Sequence, residues 1–205
     1  MSAGHPSGFD ESYTRYQADR GALRRLVRSA YLRSARSRLH GAVLDFGCGV
    51  GELLATLPAG SAGLEYNMST VDHCRARGLD VHWYDGFADD WQLSVLPEGR
   101  RFDSMVISHV LEHLQEPTAV LNALLHAAGR IGIATVLVIV PGRAGYRLDA
   151  THRTFVDREM LEGKPACSGS GFGVGAARYF PGNARWVGDW FPHHELQLIY
   201  RRLPD

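Results

Sequence analysis

Apolar positions along this chain fall into a few distinct rhythms. From about Asp10 to Leu39, residues Leu23, Leu26, Val27, Ala30 and Tyr31 recur at helical spacing, and Gly21 divides the stretch into two predicted helices. The preceding residues, Met1 to Ser7, read as a disordered tail. A short apolar run, Ala42, Val43 and Leu44, then leads through Asp45 to glycines at alternate positions, Gly47, Gly49 and Gly51. Glu52, Leu53 and Leu54 begin a helix-like pattern, so the stretch reads as buried strand, tight glycine loop, helix. Glycine suits such a loop because it takes backbone angles a side chain blocks and lets a ligand lie against the main chain.

The alternation continues downstream. Leu64 and Glu65 end a second strand, and Asn67 or Ser69 caps a helix that stops at Gly78. Leu79 to Tyr84 alternates as a third strand, ending at Asp85, Gly86 and Phe87. Trp91 to Arg101 is a loop with Pro97 and Gly99, and Phe102 to Ser108 is a buried fourth strand. Pro117 opens a helix whose apolar face is Leu121, Leu124, Leu125 and Ala128, with Gly129 as its end. Ile131 to Val140 is the longest β-rich run, a fifth strand stopped by Pro141. Beyond it, Pro141 to Arg153 is a polar connection, and Asp157 is placed to cap a short helix ending at Gly163. Gly169 to Gly175 has no apolar strand before it and reads as a loop or strand entry, while Leu196 to Arg201 is a last strand. This order predicts an α/β fold, an open doubly wound sheet with helices on both faces. Ligands in such sheets bind at the carboxyl ends of the strands, where Asp45, Glu65, Asp85, Ser108 and His109 converge.

Composition adds bounds rather than chemistry. A chain of 205 residues, 45% hydrophobic and 21% charged, fits an ordinary globular domain. No apolar run reaches the roughly 20 residues that span a membrane, and the first residues lack a signal peptide's basic and apolar regions, so a cytoplasmic location is expected. Cys48, Cys74 and Cys167 are odd in number and lack C-x-x-C spacing, which argues against a disulfide framework and a zinc site. Net charge is zero, yet Arg15, Arg20, Arg24, Arg25, Arg28, Arg33, Arg36 and Arg38 crowd the N-terminal segment. A solvated helix face is the preferred account; a patch for an acidic substrate or RNA is the alternative.

The glycine loop decides the candidate chemistry. A dinucleotide fingerprint, G-x-G-x-x-G, needs glycine where Glu52 stands, and Asp45 and Glu52 would repel a pyrophosphate. A ligand with a positive centre suits the site better. The stretch D-F-G-C-G-V-G resembles the first motif of class I S-adenosylmethionine (SAM) dependent methyltransferases of the small-molecule type, and H-V-L-E-H-L-Q-E-P resembles their fourth. The resemblance covers roughly Gly41 to Val140 and implies a mostly parallel seven-stranded sheet, order 3-2-1-4-5-7-6, with the last strand antiparallel. It also implies SAM as cofactor and S-adenosyl-L-homocysteine (SAH) as product. Residues 1–40 would form a helical segment closing over the cofactor with Tyr13, Arg15 or Tyr16, ahead of a methyltransferase domain over 41–205.

The expected cofactor contacts are Asp45, Gly47, Cys48, Gly49, Gly51, Glu65, Asn67, Asp85, Gly86, Phe87, Ser108 and His109. Glu65 lies eighteen residues beyond Gly47, near the spacing at which a carboxylate accepts both ribose hydroxyls. In the resembling family an aspartate after the third strand pairs with the adenine amino group, which points to Asp85, with Asp89 and Asp90 as competitors. Methyl transfer is an in-line displacement that needs positioning, and a base only for an acceptor that is not already nucleophilic. His152, in D-A-T-H-R-T-F, resembles a block that faces the acceptor and is the preferred base; His109 is the second candidate, and His113 reads as a packing or capping residue. The sequence has no metal-ligand cluster of the kind seen in catechol-type enzymes, so metal independence is expected. The expected partner is a small-molecule acceptor methylated on oxygen or nitrogen, with neither nucleic acid nor membrane. An RNA methyltransferase using the arginine-rich segment and a non-catalytic SAM-binding protein are the alternatives.

Overall fold

Strands covered by helices on both faces are largely apolar on both faces, and two strands of this chain are buried in this way. The structure is a computed structural model that describes residues 22–204, with side chains from Ser29 onward. Strands β1 (Val43–Phe46) and β5 (Thr135–Pro141) are buried along their whole length. Along β5, Val136, Val138 and Val140 pack into the larger core while Leu137 and Ile139 pack into the other. The first core lies under helix α3 (Pro117–Arg130), which buries Leu121, Leu124, Leu125 and Ala128 as expected. The second lies under helix α1 (Ala22–Arg36), through Leu32 and Ala35.

The remaining strands are β2 (Ala62–Glu65), β3 (Val81–Trp83), β4 (Ser104–Ser108), β6 (Phe172–Phe180) and β7 (Glu195–Arg202). They form one sheet in the expected order, β3-β2-β1-β4-β5-β7-β6. The first five pair in parallel, and β7 runs antiparallel to both β5 and β6. Strand order reverses between β1 and β4, so a crevice opens at their carboxyl ends. On β7, Leu196, Leu198 and Tyr200 enter the larger core, and Tyr200 donates its hydroxyl to Leu161 O at 2.6 Å. Its opposite face carries Gln197, whose Oε1 accepts from Ser34 Oγ at 3.1 Å and Arg38 Nε at 2.8 Å, tying the α1 segment to the sheet.

Several elements differ from their sequence-based outlines for local reasons. The helix expected after the glycine loop is a single 3-10 turn, Leu54–Thr56. Pro58 forces the residue before it out of the helical region, and Leu57 is extended with ψ 159°. Helix α3 runs past Gly129 to Arg130, and Gly132, at φ +87°, makes the left-handed exit instead. Thus β5 starts at Thr135 rather than Ile131. Asn67, not Ser69, caps helix α2 (Met68–Ala76), accepting from the Ser69 and Thr70 amides. The connection after β5 contains helix α4 (Arg143–Leu148), followed by α5 (Arg158–Glu162), capped by Asp157, and α6 (Lys164–Cys167).

The tail Met1–Ser7, the break at Gly21, the closing role of Tyr13, Arg15 and Tyr16, and the side chains of Arg20, Arg24, Arg25 and Arg28 lie outside the described residues. Arg33 and Arg36 are exposed. Among the described residues no helix is long and apolar enough to cross a membrane.

Leu124 is fully buried between α3 and the sheet. Leu124→Ala is expected to cost about 2–5 kcal/mol in urea unfolding, whereas Leu203→Ala, at a position 54% exposed, should stay within about 0.5 kcal/mol.

Candidate cofactor and acceptor site

The glycine loop follows β1 directly, and its shape depends on having no side chains. Gly47, Gly49 and Gly51 have φ of +70°, +52° and +74°. A Cβ on Gly47 would stand 2.4 Å from Val110 Cγ2, so this position is closed both by angle and by space. The amides of Gly47 and Cys48 donate to Leu64 O at 2.8 and 3.1 Å, locking the loop against the end of β2. There Glu65 completes the join: Oε2 accepts from Gly49 N and Oε1 from Asn67 N, both at 2.9 Å. Burial pushes the Glu65 carboxyl above its usual range, against the opposing pull of the amides of Asn67, Gly49 and Tyr66.

The end of β3 builds the next wall. Asp85 Oδ1 accepts from the amides of Phe87 and Ala88 at 3.0 and 3.2 Å, fixing the turn that carries Gly86 and Phe87. A Cβ on Gly86 would stand 2.2 Å from the Trp91 ring, which meets Phe87 edge-on at 4.9 Å between centroids.

At the end of β4 the backbone takes an unusual step. His109 has φ +57°, and its amide donates to Ile139 O at 3.0 Å. The turn throws its ring between two carboxylates, with Nδ1 3.1 Å from Glu112 Oε1 and Nε2 3.0 Å from Glu195 Oε1. Burial works against the charged ring, but the hydrogen bonds to Glu112 and Glu195 outweigh it and raise His109 to about 10. At neutral pH both ring nitrogens therefore carry protons.

The segment after α4 closes the far side. His152 Nδ1 stands 2.8 Å from Tyr146 O, a carbonyl that can only accept, so the proton sits on Nδ1. Its ring stacks on Tyr146 at 5.3 Å, and its Nε2 faces Glu112 Oε1 at 4.0 Å and Asp149 Oδ2 at 3.9 Å. His113 meets His152 edge-on at 4.8 Å, and its Nδ1 lies 3.1 Å from Thr151 Oγ1. Burial, aided by repulsion from His152, lowers the His113 pKa, with Glu112 and Asp149 opposing.

These pieces line one cleft of about 460 Å³, within the usual size of small-molecule sites. Of the expected residues, Asp45, Gly47, Cys48, Gly49, Glu65, Asn67, Gly86, Phe87, Ser108, His109 and His152 line it. Gly51 and Asp85 are not among the residues that line it. Three acidic residues to which the sequence alone gave no role also meet here. Glu195 and Asp149 line the cleft, and Glu112 is fully buried beneath it. The one signal for Glu112 was an acidic residue set among leucines in V-L-E-H-L.

The sequence model of the family described as "Methionine biosynthesis protein MetW" matches residues 34–141. This chain belongs to the MetW family. The MetW match runs from the end of α1 through β5, so it includes the glycine loop, Glu65 and His109 but stops before His152 and Glu195. No curated protein matches.

Many solved structures share the fold of this MetW-family chain. A SAM-dependent methyltransferase from Archaeoglobus fulgidus is 22% identical with TM-score 0.67, covering 94% of this chain and 100% of its own. The magnesium protoporphyrin IX methyltransferase from Synechocystis PCC 6803, solved with bound SAH, is 15% identical with TM-score 0.54, covering 97% and 90%. The [4+2]-cyclase SpnF is 16% identical with TM-score 0.57, covering 87% and 82%.

Gly47→Ala tests the loop. The left-handed angle alone should cost about 1–3 kcal/mol, and the approach to Val110 adds to it, so chemical denaturation should show a loss at or above that range.

Proposed function

We propose that this MetW-family chain is a SAM-dependent methyltransferase that methylates an oxygen or nitrogen of a small-molecule acceptor. The observation that carries this reading is the division of one cleft into two chemically different halves. One half is a glycine loop held by Glu65, beside the buried Asp45; the other is a pocket of His113, Asp149 and His152.

SAM supplies a methyl already activated on a sulfonium and leaves as SAH. In this reading Glu65 accepts the ribose hydroxyls and thereby joins ligand, loop and β2. Gly86 and Phe87 would offer their main chain and a flat aromatic wall to the adenine, and Asp85, which does not line the cleft, holds that turn through the Phe87 and Ala88 amides. Asp45, Cys48, Gly49 and Asn67 line the remainder of the cofactor half, and Ser108 and His109, at the end of β4, would hold the end that carries the methyl. The acidic lining favours a positively charged ligand over a pyrophosphate.

His109, protonated on both nitrogens between Glu112 and Glu195, positions rather than takes a proton. The base is His152, whose Nδ1 proton is committed to Tyr146 O and whose Nε2 can accept. Bound SAM would supply the methyl to the acceptor's lone pair, and His152 Nε2 would take the acceptor's proton.

Glu65→Ala should weaken SAH binding by about 1.5–3 kcal/mol in calorimetry while the protein stays folded; unchanged affinity would remove Glu65 from the ribose role. His152→Ala should bind SAM as wild type does, yet lose roughly 100- to 10,000-fold in rate on a neutral hydroxyl acceptor. That acceptor is to be found by screening phenols, sugars, carboxylates and amines for SAM-dependent product. Full turnover by this variant would sink the base assignment.

A further inference from the structure

We propose that Glu112, His113 and His152 form a binding site for one divalent metal ion of the zinc class, set in the floor of the acceptor half of the cleft. Two residues come from the turn after β4 and the third from the segment after α4, so no local sequence spacing announces the set. Each offers one ligand atom, and these atoms lie within 4.8 Å of one another. Two imidazoles and a carboxylate are a donor set that suits zinc and neighbouring first-row metals.

Three independent features point to a cation here. First, Glu112 is fully buried, and its Oε2 has no hydrogen-bond partner among the described residues. Buried carboxylate oxygens are ordinarily satisfied, and a metal ion satisfies one without a donor proton. Second, the outer partners of a metal site are already in place. Glu112 Oε1 meets His109 Nδ1, His152 Nδ1 meets Tyr146 O, and His113 Nδ1 meets Thr151 Oγ1, whose own proton goes to Asp149 Oδ1 at 2.6 Å. Such contacts fix the orientation of liganding side chains. Third, Asp149 Oδ2 stands 3.9 Å from His152 Nε2, so a second carboxylate besides Glu112 faces the cluster, where added positive charge is favoured.

The distances describe an open cage. Ligand atoms about 2.1 Å from a tetrahedral zinc stand about 3.4 Å apart, and the three ligand atoms here lie within 4.8 Å of one another. Capture draws each ligand inward by less than about one ångström. His113, Asp149 and His152 line the cleft whereas Glu112 lies behind it, so the open coordination position faces the acceptor. The ion's role, though not its binding, rests on the methyltransferase reading. A bound hydroxyl would be acidified by the metal, and the lone pair of His152 would then hold the ion instead of taking the proton.

Cobalt(II) absorption on chelator-treated protein tests the site, with SAH calorimetry on the same samples as a separate readout. Wild type is expected to take up one Co²⁺ with the visible bands of a nitrogen- and oxygen-bound low-coordinate ion, displaced by Zn²⁺. His113→Ala and His152→Ala should each weaken uptake by more than the roughly 10- to 100-fold typical of losing an outer partner, while SAH binding stays intact and reports that the protein is folded. His126→Ala, on the far face beside Ser168, should leave uptake unchanged. Absence of Co²⁺ uptake by wild type, or uptake by both histidine variants equal to that of wild type, overturns the metal site. If wild type binds SAH but takes up no Co²⁺, the site fails and the methyltransferase reading stands; Co²⁺ uptake by wild type without SAH binding is the reverse.

Discussion

A buried carboxylate persists only when other groups answer it, and Glu112 organises the acceptor half of the cleft by that requirement. Its Oε1 takes the His109 ring, while its backbone carbonyl accepts from Arg153 N at 2.8 Å and Thr154 N at 3.1 Å. One residue in a three-residue turn thus fastens the end of β4 to the segment that follows β5. His152, immediately before Arg153, is set beside the cleft as a consequence. Glu195 closes the other side of His109, and it arrives through the register of β7, where it sits opposite Pro141. A one-residue slip of β7 would turn Glu195 to the other face of the sheet, so the charged ring also depends on that antiparallel pairing.

The cofactor half needs none of this. Glu65 and the glycine loop are joined through Gly49 N and Asn67 N, all within the first parallel strands. This half was legible in the sequence because its parts are short-range. Alternate glycines need only one strand before them, and Glu65 follows at a spacing that geometry dictates. The strand order was legible through family resemblance, and the buried faces of α3 and β5 through periodicity alone.

The rest was hidden for physical reasons. The turn after the loop looked helical because Leu53 and Leu54 are apolar, yet they serve different cores and Pro58 ends the segment. Gly129 looked like a stop but sits within α3, near Ser170 and Phe172. The ion pair between His109 and Glu195 spans 86 residues and two crossovers, so no spacing rule reaches it. His113 read as a packing residue for the same reason, since its neighbour His152 comes from another segment.

Fold alone is a weak guide to chemistry, and neighbours of this chain include both methyltransferases and a cyclase. The charges of the acceptor half narrow the choice further. Without an ion, Glu112, Asp149 and Glu195 would repel a carboxylate or phenolate and favour an amine or a neutral hydroxyl. A divalent ion beside them inverts that preference, because it becomes the largest local charge and draws anionic oxygen to its open position. The class of acceptor and the occupancy of the Glu112, His113 and His152 cluster are therefore one question, decided where β4 ends.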